Sequence, residues 1–321
     1  MCMTFTHTYN DIISPENLLN AWEEFLRGKR NKKDVLEFGR HIMDNIFPLH
    51  FDLKSKTYAH GGYKAFNISD PKPRNIHKAT VRDRLLHHAI YRSLHSYFDK
   101  IFIYDSYSCR NGKGTHKGIN RLKNFAFEAS DQQTKNIFIL KCDIRKFFAS
   151  IDQQILFKIL RKYILDQETL RLLEKVILSF SSAEKGKGLP LGNLTSQLLV
   201  NIYMNEFDQW IKRVMKIEYY IRYADDFVII SRDKDYLLEL TPKIADFLEE
   251  NLKLSLHPDK VFLRSLTSGV DFLGWVHFQN HRILRTTTKR RMFKKLNDKN
   301  KGSYLGMLSH GNCHKIMKKM I

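Results

Sequence analysis

An α+β fold of the split βαβ type is predicted for this chain of 321 residues. Two observations carry that expectation. Short apolar runs of strand length alternate with longer stretches in which apolar residues recur at helical spacing. Two of the strand-like runs, Tyr219 to Tyr223 and Phe227 to Ser231, form a hairpin joined at Ala224-Asp225-Asp226. Alternation with a strand hairpin inside it is the signature of a split βαβ unit.

Taken in order, residues 15–48 read as helical, with Ser14 or Asn17 as a cap and Leu18, Leu19, Trp22, Phe25 and Leu26 on one face. Residues 58–78 read as a β-hairpin whose turn, Asp70-Pro71-Lys72-Pro73, cannot sit in a central ladder. A helix is expected over about 81–98, then a loop and helix over 104–124 rich in positive charge. Ile137 to Leu140 reads as a buried strand running into Cys142-Asp143. Helices are expected at about 152–163, 167–180, 195–213 and 234–251, and short strands at about 261–265 and 270–284. From Thr286 the chain is basic and mixed, and no element is assigned.

Apolar residues make up 43% of the chain, enough for a packed core rather than disorder. Lys and Arg number 54 against 34 Asp and Glu, a net charge of +20 that points to a polyanionic partner such as nucleic acid. A generally basic solvated surface, or a patch for acidic lipid, is the competing account. No apolar run approaches the ~18–20 residues of a spanning helix. Met1 to Asn10 lacks the regions of a signal peptide. The cysteines at 2, 109, 142 and 313 are too scattered for a CxxC pair. Free thiols in a reducing cytoplasm, with no membrane partner, are expected.

Three motifs carry chemistry. In Tyr223-Ala224-Asp225-Asp226, adjacent carboxylates repel each other at a hairpin tip, an arrangement that cations would neutralise. Taken alone, this pair is better accounted for by a solvated turn. Asp143 ends an apolar strand, where a carboxylate needs a counterion, a metal or a role as helix cap. If a sheet brings Asp143 beside the hairpin, the three carboxylates can hold two ions about 3.5–4 Å apart and clamp a phosphoryl displacement. Gly188-Leu189-Pro190-Leu191-Gly192-Asn193-Leu194-Thr195-Ser196-Gln197 opens a helix, and its glycines permit close backbone approach to an anion. A plain loop-to-helix cap is the simpler reading of that run. It is not a Walker loop, since no Gly-Lys-Ser/Thr stands at the required spacing.

In this order, Asp143 with Phe147-Phe148, the GLPLGNLTSQ run and YADD resemble motifs A, B and C of reverse transcriptases. Leu256-His257-Pro258-Asp259-Lys260 resembles motif D, and Phe272-Leu273-Gly274-Trp275 resembles motif E, the primer grip. Upstream, Lys72-Pro73-Arg74 to Val81-Arg82-Asp83-Arg84 resembles the fingers segment of bacterial and group II-type enzymes. The likeness covers roughly residues 55–310. It most resembles the reverse transcriptases of diversity-generating retroelements in three stretches: Leu191 to Gln197, where many relatives carry Gln-Gly and Ser-Pro; Tyr107 to His116; and Ser303 to Asn312. Ala224 departs from the pattern, being bulkier in many relatives.

The resemblance implies a right-hand polymerase with an N-terminal helical extension (1–54), fingers (55–136), a palm (137–285, with a helical fingers portion at about 152–185) and a short partial thumb (286–321). It implies RNA-templated DNA synthesis with two Mg²⁺ ions, Mn²⁺ being a substitute. Asp143, Asp225 and Asp226 would be the catalytic metal ligands, joined by the backbone carbonyl of Ile144. Lys72, Arg74, Phe148, Leu191, Gly192 and Gln197 would bind the nucleotide, with Phe148 excluding a ribose 2′-hydroxyl. Packing beside Phe147 is the plainer role for Phe148. Lys260, or His257, would protonate the leaving pyrophosphate, although an exposed turn accounts for both. Arg110, Lys113, His116, Lys117 and Gly274 would contact nucleic acid.

The expected partners are template RNA, cDNA, dNTPs and a small basic, oligomeric accessory protein, in a bacterial or phage-encoded cytoplasmic system. The expected product is cDNA mutagenised opposite template adenines. The alternatives are a retron, phage-defence or group II-like enzyme, or an inactive polymerase-like RNA-binding protein. A group II maturase would be expected to continue into a larger thumb and a DNA-binding region.

Overall fold

The computed structural model describes residues 5–69 and 73–320. In chain order the elements are α1 (Tyr9–Ile13), α2 (Pro15–Phe25), α3 (Lys33–Arg40), α4 (Ile42–Lys54), β1 (Lys64–Ile68), β2 (Arg74–Lys78), α5 (Val81–Ile101), α6 (Thr115–Ala129) and β3 (Phe138–Asp143). Then come α7 (Phe147–Ser150), α8 (Gln153–Tyr163), α9 (Gln167–Leu178) and α10 (Leu194–Gln209), which runs on into a π-helical turn, Trp210–Val214. The chain continues through β4 (Tyr220–Tyr223), β5 (Asp226–Ser231), α11 (Lys234–Leu252), β6 (Phe262–Ser265), β7 (Val270–Phe272), β8 (Trp275–His277) and β9 (Arg282–Leu284). It finishes in α12 (Thr286–Lys295), α13 (Asp298–Leu308) and α14 (His314–Met317).

Two expectations are corrected. The helical stretch over 15–48 is three helices, because Gly28 takes φ +69° and turns the chain after α2. α4 also runs past Pro48 to Lys54, the ring costing one ladder bond without ending the helix. The basic stretch after Thr286 is helical. Asn297 opens α13 with a capping box to Asn300, a signal weaker to the eye than the Ser/Thr-x-x-Glu form.

The chain divides into two compact units. The first comprises Met1–Phe102, Lys146–Phe207 and Leu252–Leu254. In it α2 packs on α5, with Leu18, Trp22 and Phe25 buried on one side and Leu85, Leu86 and Ala89 on the other. Ser14 caps α2 by accepting from the Asn17 amide, as expected. β1 and β2 form an antiparallel ribbon, and β2 is extended sideways by the loop before α10. The His77 amide donates to the Leu191 carbonyl (3.0 Å), and Asn193 Nδ2 donates to the His77 carbonyl (2.8 Å).

The second unit comprises Ile103–Arg145, Asp208–Asn251 and Ser255–Ile321. Its four-stranded sheet has the order β4-β5-β3-β6, every neighbour antiparallel, so β3 and β4 run parallel with β5 between them. That is the split βαβ arrangement expected from sequence. α6 covers one face, bringing Leu122, Phe125 and Ala126 into a core with Ile139, Ile221, Val228 and Ile230. A smaller sheet, β7-β8-β9, supports a second core in which Trp275, Leu284, Met292 and Leu308 meet. Among the described residues no helix is long and apolar enough to cross a membrane.

Candidate active site

The apolar strands β3 and β5 place the carboxylates. Their register runs from Phe138 opposite Ser231 to Asp143 opposite Asp226, so the last residue of β3 faces the first residue of β5. Tyr223 pairs with Asp226, leaving Ala224 and Asp225 as the turn. The Ile144 amide donates to the Asp225 carbonyl (3.1 Å), which ties the turn to the end of β3. Ile144, whose carbonyl was expected among the metal ligands, is buried beside them. Within the turn Ala224 takes a positive φ of +56°. For a residue with a Cβ that conformation costs about 1–2 kcal/mol.

Both facing carboxylates have a lysine. Lys260 Nζ lies 2.8 Å from Asp143 Oδ1. Lys141, itself buried, brings its Nζ within 3.4 Å of Asp226 Oδ1, but at an angle that leaves that buried oxygen without a hydrogen bond. Burial pushes the Asp226 carboxyl up to about 7. Lys141 opposes the rise, while the charges of Asp143 and Asp225 add to it. Hard oxygen donors crowded together, one of them unsatisfied, fit a divalent cation in chemistry. Among the described residues no three Asp, Glu, His or Cys side chains yet converge on one point.

Beneath the turn lies a network that sequence reasoning missed. Arg222 and Asp208 are both fully buried and paired through two contacts, Nε to Oδ1 at 2.7 Å and Nη2 to Oδ2 at 2.6 Å. Tyr220 donates to the same Asp208 Oδ1 at 2.7 Å, and Arg222 Nη2 reaches Ser106 Oγ at 3.1 Å. Arg222 Nη1 donates to the Ala224 carbonyl (3.1 Å), bracing the strained turn from below. The signal was present as an arginine within the apolar strand Tyr220–Tyr223, since a buried charge requires a partner.

The residues expected on nucleic acid divide by what holds them. Arg110 donates to the carbonyls of Ile103 (2.7 Å) and Ser106 (3.1 Å), and Lys113 donates to the Tyr104 carbonyl (2.8 Å) while lying over its ring. Both therefore organise their own loop. His116 packs at a tilt against His310, and Lys117 is exposed. Gly274 sits in the β7–β8 turn at φ +86°.

The residues expected at the nucleotide belong to the first unit. Lys72 lies outside the described residues, and Arg74 is exposed at the start of β2. Gly192 takes φ +105°, and a Cβ there would stand 2.8 Å from the Ile76 side chain, so glycine is needed for the loop to lie against β2. Leu191 and Gln197 are partly exposed around it. The Phe148 carbonyl accepts from the Leu189 amide (2.8 Å), which sets Phe148 beside the same loop, and its ring meets Phe147 edge to face.

The family model for reverse transcriptase (RNA-dependent DNA polymerase) matches residues 68–277, more than half of the chain and the whole of the carboxylate hairpin. The chain belongs to the reverse transcriptase family. Relatives of this reverse transcriptase chain include Protein YkfC of Escherichia coli, 26% identical over 69% of this chain and 66% of its own length. The group II intron-encoded protein LtrA of Lactococcus lactis is 21% identical over 90% of this chain and 59% of its own. The retron Ec83 reverse transcriptase of Escherichia coli is 31% identical over 36% of this chain and 38% of its own. The matched regions thus span less than two thirds of these relatives. Among solved structures, apo telomerase from Candida tropicalis matches with a TM-score of 0.56 at 11% identity, covering 74% of this chain and 50% of that one. At that identity the likeness speaks for the fold, an α+β right-hand polymerase.

Proposed function

We propose that the chain is an RNA-templated DNA polymerase. The observation that carries the reading is the facing pair Asp143 and Asp226, with Asp225 in the braced turn beside them, in a chain of this family. In this reading residues 137–285 act as the palm, 55–136 with about 152–185 as the fingers, 286–321 as a short thumb and 1–54 as an N-terminal extension.

Asp143, Asp225 and Asp226, with the Ile144 carbonyl, would hold two Mg²⁺ ions, or Mn²⁺ in their place. When bound, such ions activate the primer hydroxyl and neutralise triphosphate charge. The chain's own residues do the remaining work. Lys260 stands 2.8 Å from Asp143 and is the proton donor to the departing pyrophosphate. Arg74 and Lys72 hold phosphate. Phe148 closes the pocket against a 2′-hydroxyl, and Leu191 offers the base an apolar face with few discriminating contacts. The 3′-oxygen displaces pyrophosphate from the α-phosphorus in line, so most of the rate comes from position and charge.

The finer reading is the cytoplasmic reverse transcriptase of a bacterial or phage-encoded diversity-generating retroelement, copying a template-repeat RNA with errors opposite adenine, with a small basic accessory protein. The stretches Leu191 to Gln197, Tyr107 to His116 and Ser303 to Asn312 support it. The test is primer extension on a candidate template-repeat RNA with Mg²⁺, dNTPs and accessory protein, followed by sequencing of the cDNA. Errors concentrated opposite adenine are expected. Faithful cDNA would keep the polymerase and reject the subtype in favour of a retron or group II-like enzyme.

A further inference from the structure

The second unit holds a cavity of about 330 Å³ that the polymerase reading leaves unused. This is near the small end of the ~300–1,000 Å³ typical of ligand pockets, room for one nucleotide rather than a duplex. It lies at the turn between β8 and β9, the opposite end of β8 from the Leu273-Gly274 turn expected at the primer.

Its wall joins two motifs whose role the catalytic site does not explain. Ser309 to Asn312, the end of the Ser303 to Asn312 stretch, lines it, and His310 packs at a tilt against His116 from the Tyr107 to His116 stretch with ring centroids 3.8 Å apart. A Cβ on Gly311 would fall 2.2 Å from the Trp275 ring, so this segment lies tight against β8 only because that residue is glycine. The Asn312 amide fixes it further by donating to the Arg282 carbonyl (2.8 Å).

Cationic and aromatic side chains line the wall. Arg282 is pinned on two sides, by the His310 carbonyl and by Asn120 Oδ1 (2.7 Å), while its buried Nη1 has no acceptor. Arg282 thus lines the cavity as a cation held in place by its own chain. Lys123 adds a second cation from α6. Phe278 and His281 also line the cavity, their rings stacked on each other at 4.8 Å and 11°. Unpaired bases are held in this way, by stacking with a phosphate gripped nearby.

We propose that this cavity binds one nucleotide unit of a polynucleotide strand, its phosphate against Arg282 and Lys123 and its base on the His281–Phe278 pair. The proposal rests on the nucleic-acid reading only for the strand; the cavity would take a free nucleotide by the same chemistry.

The test uses the full chain, a fluorescein-labelled single-stranded RNA for anisotropy, and AMP as competitor. Variants Lys123→Glu, His281→Ala and His281→Phe change exposed side chains, so folding is retained; Arg282→Gln is added, with circular dichroism as a check. Lys123→Glu and His281→Ala should each weaken RNA binding about fivefold or more, with His281→Phe restoring it, as expected for stacking. Lys123→Glu should also lower the salt dependence by about one phosphate contact. AMP that competes in the wild type and fails to bind the same variants would assign the cavity to the free nucleotide. Unchanged affinity of every variant for both ligands would overturn the site. Were primer extension intact in that case, the polymerase reading would stand without the cavity.

Discussion

Asp226 stands between a buried lysine 3.4 Å away and the carboxylate of Asp143 across the sheet, and burial is the larger influence on it. Removing one charge of the set should leave the strands paired and stop the chemistry. Asp143→Asn is expected to lower single-nucleotide incorporation by at least about 10²–10³-fold, the scale of losing one preorganised electrostatic group. RNA affinity should be unchanged, as read by anisotropy; equal loss of both would make the carboxylates structural. His277 is a second informative residue. Burial pulls its imidazole down to about 4, opposed by a hydrogen bond with the Phe272 carbonyl and aided by Arg282. The folded state therefore keeps it neutral while the unfolded chain takes up a proton, so its contribution is harmless above about pH 6.5 and increasingly destabilising from there to pH 4. His277→Gln should unfold in urea with a weaker dependence on pH across that window. Parallel curves for the two proteins would contradict this.

Among the elements, the β4–β5 hairpin depends on a charge pair it conceals. Truncating Asp208 would leave Arg222 buried without its partner, a loss of roughly 3–5 kcal/mol. Asp208→Ala should accordingly lower the urea midpoint seen through Trp210 and Trp275, both in the second unit. An unchanged midpoint would mean that water reaches Arg222. This network also marks where the sequence became hard to read. The strands were legible because apolar runs ended at charged residues, and the sheet does bring Asp143 beside the hairpin, but the order β4-β5-β3-β6 was not legible. Arg222 was hidden because one arginine among Tyr220, Ile221 and Tyr223 gives no hint of which of many carboxylates will meet it. That Arg110 and Lys113 are bound to carbonyls of their own loop was not legible, because composition cannot distinguish a cation facing solvent from one held by its own backbone. The C-terminal helices were missed because basic residues interrupt the apolar spacing of α12 and α13.

For the molecule as a whole, a net charge of +20 sets the expectation for binding. If RNA lies along this surface, log affinity should fall linearly with log salt, by ~10³–10⁵ between 50 and 200 mM for six to ten phosphate contacts. A flat dependence would point to recognition without the phosphate backbone. The family was legible because several short motifs stood in the order a polymerase palm requires, whereas subtype rests on side chains that no fold-level feature constrains. Binding becomes productive only if polymerisation takes place at the three carboxylates. The most direct measurement is extension of a DNA primer on an RNA template with Mg²⁺ and dNTPs, comparing wild type with Asp225→Asn. Full-length cDNA is expected from wild type, none after chelation of the metal, and none from Asp225→Asn although that variant still binds the template. Synthesis by Asp225→Asn at the wild-type rate, or RNA binding without synthesis by the wild type under every condition, would contradict this expectation.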